Sequence, residues 1–201
     1  ASLRDYVLLT RAVDPAALER DRMAAMQTGY AAGTKGLLRA LAYATLQERA
    51  TGLVHRNTGQ ASSDPLATRL LARIAADEHG HMVFYRDLVA EALRLAPAAT
   101  ATAIADEVDG FEMPGAELPG FLQRSVRIAE AGLYDARQHR DEVLRPLLAH
   151  WGLIDAHTDD ATDGVRSRLR ARLDRLEATA RRFELRRDRR RAGTPQPQAP
   201  R

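Results

Sequence analysis

Two carboxylates and a histidine stand out in the sequence, because each falls on the apolar stripe of a predicted long helix. Glu78 and His81 are three residues apart, which puts their Cβ atoms about 5–6 Å apart on one helical face. Glu48 lies on the apolar stripe of the preceding helix, so it also points inward. Buried carboxylates need a cation or strong donors, and these residue types bind transition metals. The sequence therefore predicts a metal site at Glu48, Glu78 and His81.

Ordinary ion pairing is the alternative for each of these side chains. Glu48 could pair with Arg49 or Arg56 at the surface, and Glu78 could pair with Arg49 or Arg73. The histidine could be a satisfied core residue, and a Glu-x-x-His pair arises often by chance. The apolar helix face around each residue favours the metal site over these alternatives.

The elements that must position these residues are predicted to be helices, with no alternating strand pattern. Two long helices cover about residues 36–60 and 64–95, and Asp64-Pro65 is a cap-plus-proline start signal for the second. Two long antiparallel helices with a short connection are the unit of a four-helix bundle. Shorter helices are predicted at about 15–28, 97–108, 119–131 and 136–151, and a final helix at about 163–191.

The amino-acid composition limits which metal ligands the chain can offer. The chain has no cysteine, which excludes disulfides and iron–sulfur ligation and leaves His and carboxylates to bind iron, manganese or zinc. No apolar run approaches the roughly 18 residues that a membrane span needs. We therefore expect a cytoplasmic bacterial protein without a membrane span.

Charge is concentrated near the end of the chain. Residues 166–191 hold twelve arginines against four acids. No recognition motif accompanies them, so nucleic acid is not an expected partner. We expect one domain over residues 1–185, followed by a basic, Pro- and Gln-rich disordered tail over residues 186–201.

Several segments closely resemble the soluble acyl-[acyl-carrier-protein] desaturases, and most closely the actinobacterial members. Gln47-Glu48-Arg49-Ala50-Thr51, followed by His55-Arg56-Asn57-Thr58, resembles the third ligand helix of that family. Ala75-Ala76-Asp77-Glu78-His79-Gly80-His81 resembles the fourth. The segment Phe111-Glu112-Met113-Pro114 resembles part of the downstream region. The resemblance covers about residues 1–185.

The resemblance implies a ferritin-like di-iron four-helix bundle with additional carboxyl-terminal helices. In such a bundle two helices each give one Glu and two each give Glu-x-x-His. Glu48 matches the third contribution, and Glu78 with His81 matches the fourth. No other Glu-x-x-His occurs in the chain. We therefore expect the first ligand helices to lie upstream of Ala1, and the 201-residue chain alone to be inactive.

Two further assignments follow from the same resemblance. Asp77 matches an aspartate that hydrogen-bonds a ligand histidine from the first half of the bundle. Thr51 matches a threonine close to the irons that is associated with proton handling, with helix packing as the alternative. His55 and Asn57 are expected to be structural.

The activity implied is O2-dependent insertion of a cis double bond into a saturated acyl chain carried by acyl carrier protein, in fatty acid biosynthesis. A ferredoxin-like electron donor and a homodimer are further expectations. The arginines near the end of the chain could attract the acidic carrier protein or simply be solvated. Two alternatives are a catalytically inactive ferritin-like scaffold or binding protein, and another ferritin-like oxidase.

Overall fold

The computed structural model describes residues 2–28, 35–154 and 162–193. The elements are α1 (Ser2–Leu9), α2 (Pro15–Thr28), α3 (Leu37–Ala61), α4 (Pro65–Leu95), α5 (Pro97–Gly110), α6 (Phe121–Glu130), α7 (Ala136–Gln138), a π-helical turn (His139–Leu144), α8 (Arg145–His150) and α9 (Asp163–Gly193). No strand occurs in these described ranges, which confirms the all-α prediction. None of the described helices is long and apolar enough to cross a membrane.

Helices α3 and α4 form a hairpin at the centre of the fold, with ends close to those predicted. Asp64 begins α4, because its Oδ1 accepts a hydrogen bond from the Leu66 amide at 2.8 Å. Pro65 occupies the first turn, where no intrahelical amide donor is required. Asp64-Pro65 therefore starts α4 as the sequence predicts, with the aspartate as N-cap and the proline in the first turn.

Two glycines of α3 allow α4 to approach closely. A Cβ on Gly52 would lie 3.3 Å from the Cβ of Glu78, and one on Gly59 would lie 3.2 Å from the Cβ of Leu71. Both distances are shorter than ordinary van der Waals contact. The hairpin is therefore packed tightest where α3 passes Glu78 and near the connecting loop.

One side of the hairpin is covered by the rest of the chain, and we call it the covered side. Leu46 of α3 and Val89 of α4 are buried in a single core with Ile104 of α5, Leu144 of the π turn and Leu169 of α9. The core therefore lies between the hairpin and the later helices, and it fixes the rotation of α3 and α4 about their axes.

An ion triad around the buried Glu107 ties the start of α3 to α5. Glu107 is almost fully buried and accepts hydrogen bonds from Lys35 Nζ at 2.5 Å and from Arg39 Nε at 2.6 Å. A buried carboxylate is tolerated when it is paired in this way, and losing one partner leaves an uncompensated charge. The triad therefore helps to fix the position of α3 along α5.

The helix predicted over 136–151 is interrupted by the π turn, and Pro146 gives the physical reason. Proline has no amide hydrogen, and its ring excludes the ordinary bond to the carbonyl four residues earlier, that of Glu142. This carbonyl instead accepts a hydrogen bond from Arg49 Nε at 2.8 Å, while the Glu142 carboxylate binds Arg56 at 2.6 Å. The break in the helix thus creates an anchor for α3.

Helix α9 packs as its pattern predicted, with Leu169, Leu173 and Ala180 buried. It continues to Gly193 and so passes the boundary at residue 186 where the sequence placed a disordered tail. Residues 194–201 lie outside the described ranges, and the division into domain and tail stays a prediction.

Candidate metal centre

The three predicted ligands converge between α3 and α4. His81 Nδ1 lies 3.4 Å from Glu48 Oε2 and 3.3 Å from Glu78 Oε2. One ligand atom from each residue lies within 4.8 Å of the other two. The convergence expected from the helical spacing is therefore present, and the binding of a metal by these side chains stays a prediction.

Burial differs among the three side chains. Glu48 is 15% exposed and Glu78 is 21% exposed, whereas His81 is 60% exposed. The carboxylates thus lie in the cleft between the helices, while the imidazole stands at its rim. His81 and the exposed Phe84 of the same helix stand outside the core, and we call this second side of the hairpin the ligand-bearing side.

Two carboxylates this close cannot both be ionised without strong repulsion. Burial, and then hydrogen bonding to Glu78, raises the pKa of Glu48 to about 7. The same hydrogen bond lowers the pKa of Glu78, and hydrogen bonding to Glu78 raises the pKa of His81. A divalent cation would replace the proton between the carboxylates and stabilise both in their charged form.

The residues present fit such a cation. Glu48 Oε2 is shielded from solvent and accepts no hydrogen bond of good geometry from the described residues. An orphaned buried carboxylate oxygen costs free energy unless a cation reaches it. Two carboxylate oxygens and an imidazole nitrogen suit iron, manganese or zinc. They are three donors, fewer than a di-metal site needs.

Ordinary ion pairing does not account for the two carboxylates. The arginines that could have paired with them are engaged elsewhere. Arg49 and Arg56 bind Glu142, and Arg73 Nε lies 3.4 Å from Asp77 Oδ1. Among the described residues, the basic side chain within 4 Å of both carboxylates is therefore that of His81.

Asp77 and Thr51 lie in different surroundings. Asp77 is exposed and pairs with Arg73, four residues earlier, so it is not part of the converging group. The Thr51 hydroxyl is half-buried and donates to the Gln47 carbonyl at 3.0 Å, one turn from Glu48. Both roles stay predictions.

Two residues expected to be structural behave differently from each other. Asn57 Nδ2 donates to the Leu133 carbonyl at 2.9 Å, which ties α3 to the loop before α7. His55 lies close enough to Glu78 for its charge to lower the pKa of that carboxyl. His55 is therefore also an electrostatic neighbour of the site.

Sequence reasoning missed two contributors to the site. Gly52 permits the close approach that brings Glu78 beside α3, and Glu142 holds Arg49 next to Glu48. Pro146 was a signal for the second, because a proline inside a predicted helix frees a carbonyl. Gly52 had no distinguishing signal beyond its place on the apolar stripe.

Comparison with known proteins decides the family. The sequence profile described as fatty acid desaturase matches residues 1–198. The chain is also 37% identical, over 92% of its length, to the Mycobacterium tuberculosis protein named as acyl-[acyl-carrier-protein] desaturase DesA1. The chain belongs to the fatty acid desaturase family. A chloroplastic stearoyl-[acyl-carrier-protein] 9-desaturase 1 of Oryza sativa is 29% identical over 83% of the chain.

A solved desaturase structure supports the same fold. The crystal structure of the M. tuberculosis protein named as acyl-ACP desaturase DesA2 matches 81% of this chain, with a TM-score of 0.67 and 26% identity. The ferritin-like all-α fold expected from the sequence is thereby confirmed. The chain spans 57% of the length of DesA1 and 46% of the rice desaturase.

Proposed function

We propose that this chain forms the part of an O2-dependent acyl-[acyl-carrier-protein] desaturase that contains two of its four ligand helices. The convergence of Glu48, Glu78 and His81, in a chain of the fatty acid desaturase family, carries this proposal. The names of its relatives support acyl carrier protein as the carrier of the substrate. A ferredoxin-like electron donor and a homodimer are further parts of the proposal.

In this assignment Glu48, Glu78 and His81 hold one half of a di-iron site. When bound, iron supplies the activation of O2 that the insertion of a cis double bond into a saturated acyl chain requires. The chain itself keeps the ligands in register, because Arg49 is bound to the π turn and Gly52 lets α4 lie close.

Thr51 is assigned to proton handling near the site. Its hydroxyl lies one helical turn beyond Glu48 and already donates to a backbone carbonyl, so rotation about χ1 would free it for another acceptor. Asp77 is assigned to orienting a ligand histidine from the other half of the bundle, for which it would leave Arg73.

A chimera tests the proposal, because the chain spans little more than half of its mycobacterial relative. The part of DesA1 without a counterpart here is placed before residue 1, and the protein is given ferrous iron, a reducing system, O2 and stearoyl-[acyl-carrier-protein]. Mass spectrometry of the acyl chains should find a monounsaturated product. A folded, iron-loaded chimera without product would instead favour the inactive scaffold.

Ligand variants sharpen this test. Glu78→Ala and His81→Ala in the chimera should lower product formation at least about 100-fold, because metal ligands rather than fold are lost. Glu91→Ala, on an exposed turn of the same helix, is the matched control and should retain activity. Circular dichroism should show the same helix content in all three. Normal product formation by either ligand variant would rule out that residue as a ligand.

A further inference from the structure

Helix α6 lies over a cavity instead of packing on the core. Phe121, Ser125, Val126 and Ala129 share one face of the helix and line a cavity of about 550 Å³. None of the ten described residues of α6 is buried, whereas seven of the fourteen residues of α5 are. The apolar face of α6 is therefore directed at open space that a ligand could fill.

The rest of the lining comes from α9 and from the segments on either side of α6, and we call this space the α6–α9 cavity. Its described lining residues all follow α4 in the chain. The candidate metal ligands lie on α3 and α4, in a different cleft that Glu48 lines. The volume of the α6–α9 cavity falls within the range of roughly 300–1,000 Å³ that is typical of sites for small organic ligands.

Arginines adjoin the α6–α9 cavity beside α9. Arg186 lines it and also lines a smaller cavity of about 180 Å³, together with Arg187 and Arg190. Glu130, the acid among the described lining residues of the smaller cavity, binds Arg190 at 2.7 Å. Arg187 Nε is shielded from solvent and makes no well-formed hydrogen bond with the described residues, although Asp188 Oδ1 lies 3.5 Å away. The smaller cavity thus has an excess of positive charge.

The remaining lining of the α6–α9 cavity suits a hydrocarbon chain. Two acids, Glu112 and Asp135, also line it, and Asp135 accepts a hydrogen bond from the Gln138 amide at 3.0 Å as the N-cap of α7. These acids repel an anion, which the arginines attract. The large apolar lining residues are Phe111, Met113, Phe121, Val126 and Phe183. The two cavities together therefore favour a ligand that is apolar along its length and negatively charged at one end.

We propose that the α6–α9 cavity binds an anionic amphiphile with a single hydrocarbon chain. The chain fills the apolar cavity, and the head group, a carboxylate or a phosphate, binds Arg186 and Arg187 in the smaller cavity. Guanidinium groups form paired, charge-assisted hydrogen bonds with both kinds of head group. The bound chain supplies the packing that α6 lacks. The site uses none of the candidate metal ligands, so the proposal does not depend on the desaturase function.

Titration of the metal-free 201-residue chain with laurate, dodecyl phosphate and uncharged dodecanol tests the proposal. Isothermal titration calorimetry, at ligand concentrations that form no micelles, should find one ligand per chain for at least one of the two anions. The anion that binds more tightly identifies the head group. Dodecanol should bind at least about tenfold more weakly, because it makes no charge-assisted hydrogen bonds. Failure of both anions to bind, or equal binding of dodecanol, would overturn the proposal.

Two matched pairs of variants locate the ligand. Arg186→Glu should weaken binding of the better anion at least about tenfold, whereas Arg170→Glu, at an exposed position of α9 outside both linings, should not. Ala129→Phe places a ring in the cavity and should abolish binding, whereas Gln123→Phe adds the same ring at an exposed position of α6. Circular dichroism checks that all four variants keep their helix content. Unchanged affinity in both Arg186→Glu and Ala129→Phe would overturn the proposal.

Competition in the chimera separates this site from the path of the substrate. Stearoyl-[acyl-carrier-protein] should leave the bound amphiphile in place, and its displacement would overturn the assignment to a separate site. An iron-loaded, inactive chimera that binds the amphiphile would overturn only the desaturase function. An active chimera that binds neither anion would overturn only the amphiphile site.

Discussion

The two sides of the α3–α4 hairpin differ in how their side chains are packed and paired. On the covered side, Leu46 and Val89 lie in a continuous core. On the ligand-bearing side, Phe84 is exposed, and a buried oxygen of Glu48 accepts no well-formed hydrogen bond from the described residues. The first side therefore stabilises the fold, whereas the second holds groups that need a cation and a further surface. The apolar stripes of α3 and α4 thus form the core on one side of the hairpin and surround the candidate metal ligands on the other.

The largest expected difference between the two sides is in stability. Leu46→Ala removes a fully buried side chain and should lower the free energy of unfolding by about 2–5 kcal/mol. Phe84→Ala, measured in metal-free buffer, should change it by less than about 0.5 kcal/mol, because the ring is mostly exposed. Urea unfolding followed by circular dichroism measures both. Equal losses would show that the two sides are packed alike.

The covered side also holds a histidine whose burial makes the fold acid-sensitive. His139 stacks on Phe111 with ring centroids 5.1 Å apart, and its Nδ1 lies 2.7 Å from the Tyr134 hydroxyl. Burial, and then the nearby charge of Arg172, lowers the pKa of His139 to about 4. The Tyr134 pKa is raised by burial, so the phenol stays protonated and donates to the ring.

The sign of the effect follows from proton uptake. Between about pH 6.5 and 4 the unfolded chain protonates this histidine while the folded chain keeps it neutral. Stability from His139 is therefore full above pH 6.5 and declines as the pH falls to about 4, by about 3 kcal/mol in total. Urea unfolding across this range, compared with His139→Asn, should show the difference. Parallel losses in both proteins would contradict it.

Much of this architecture could be predicted from sequence, because its signals are local. Asp64 caps α4 through its own side chain, which accepts a hydrogen bond from the Leu66 amide, and the spacing of Glu78 and His81 fixes their common face. The π turn and the ion triad at Glu107 could not be predicted in the same way. The triad depends on contacts between residues far apart in the chain. Lys35 and Glu107, for example, are 72 residues apart. Pro146 signals a break in its helix, but not the contact that the freed Glu142 carbonyl makes with Arg49, 93 residues away.

Gly52 lies where α3 passes Glu78, and replacing it is expected to change metal affinity more modestly than the core substitution changes stability. Gly52→Ala adds a Cβ 3.3 Å from the Cβ of Glu78 and should shift α4 by a few tenths of an ångström. Metal affinity of the chimera should fall about tenfold through misplacement of the ligand. Gly80→Ala, which meets nothing within 4 Å, should leave affinity unchanged and stabilise the helix by about 1 kcal/mol. Cobalt(II) absorbance titrations and urea unfolding measure both effects. Equal affinities would show that the close approach does not position Glu78.

Helix α9 also has two different faces: its inner face is packed against the core, and its outer face is charged. Several outer arginines already bind acids: Arg168 and Arg175 bind Asp109, and Arg190 binds Glu130. The exposed arginines of α9 with neither an acidic partner nor a side-chain hydrogen bond among the described residues are Arg170, Arg186 and Arg189, because Arg182 donates to the Thr179 hydroxyl at 3.3 Å. These three are the better candidates for attracting an acidic carrier protein, because their charge is not already neutralised.

The smallest effect is expected from reversing these three charges. In the chimera, Arg170→Glu, Arg186→Glu and Arg189→Glu together should flatten the salt dependence of acyl carrier protein binding, mainly through the association rate. The fold should persist, since all three side chains are exposed. A matched control reverses the exposed Arg20, Arg69 and Arg145 on other helices, with the same change in net charge. Stopped-flow association at several ionic strengths separates local attraction from net charge. If the two triple variants have equal slopes, the outer face of α9 is a solvated surface and not a docking site.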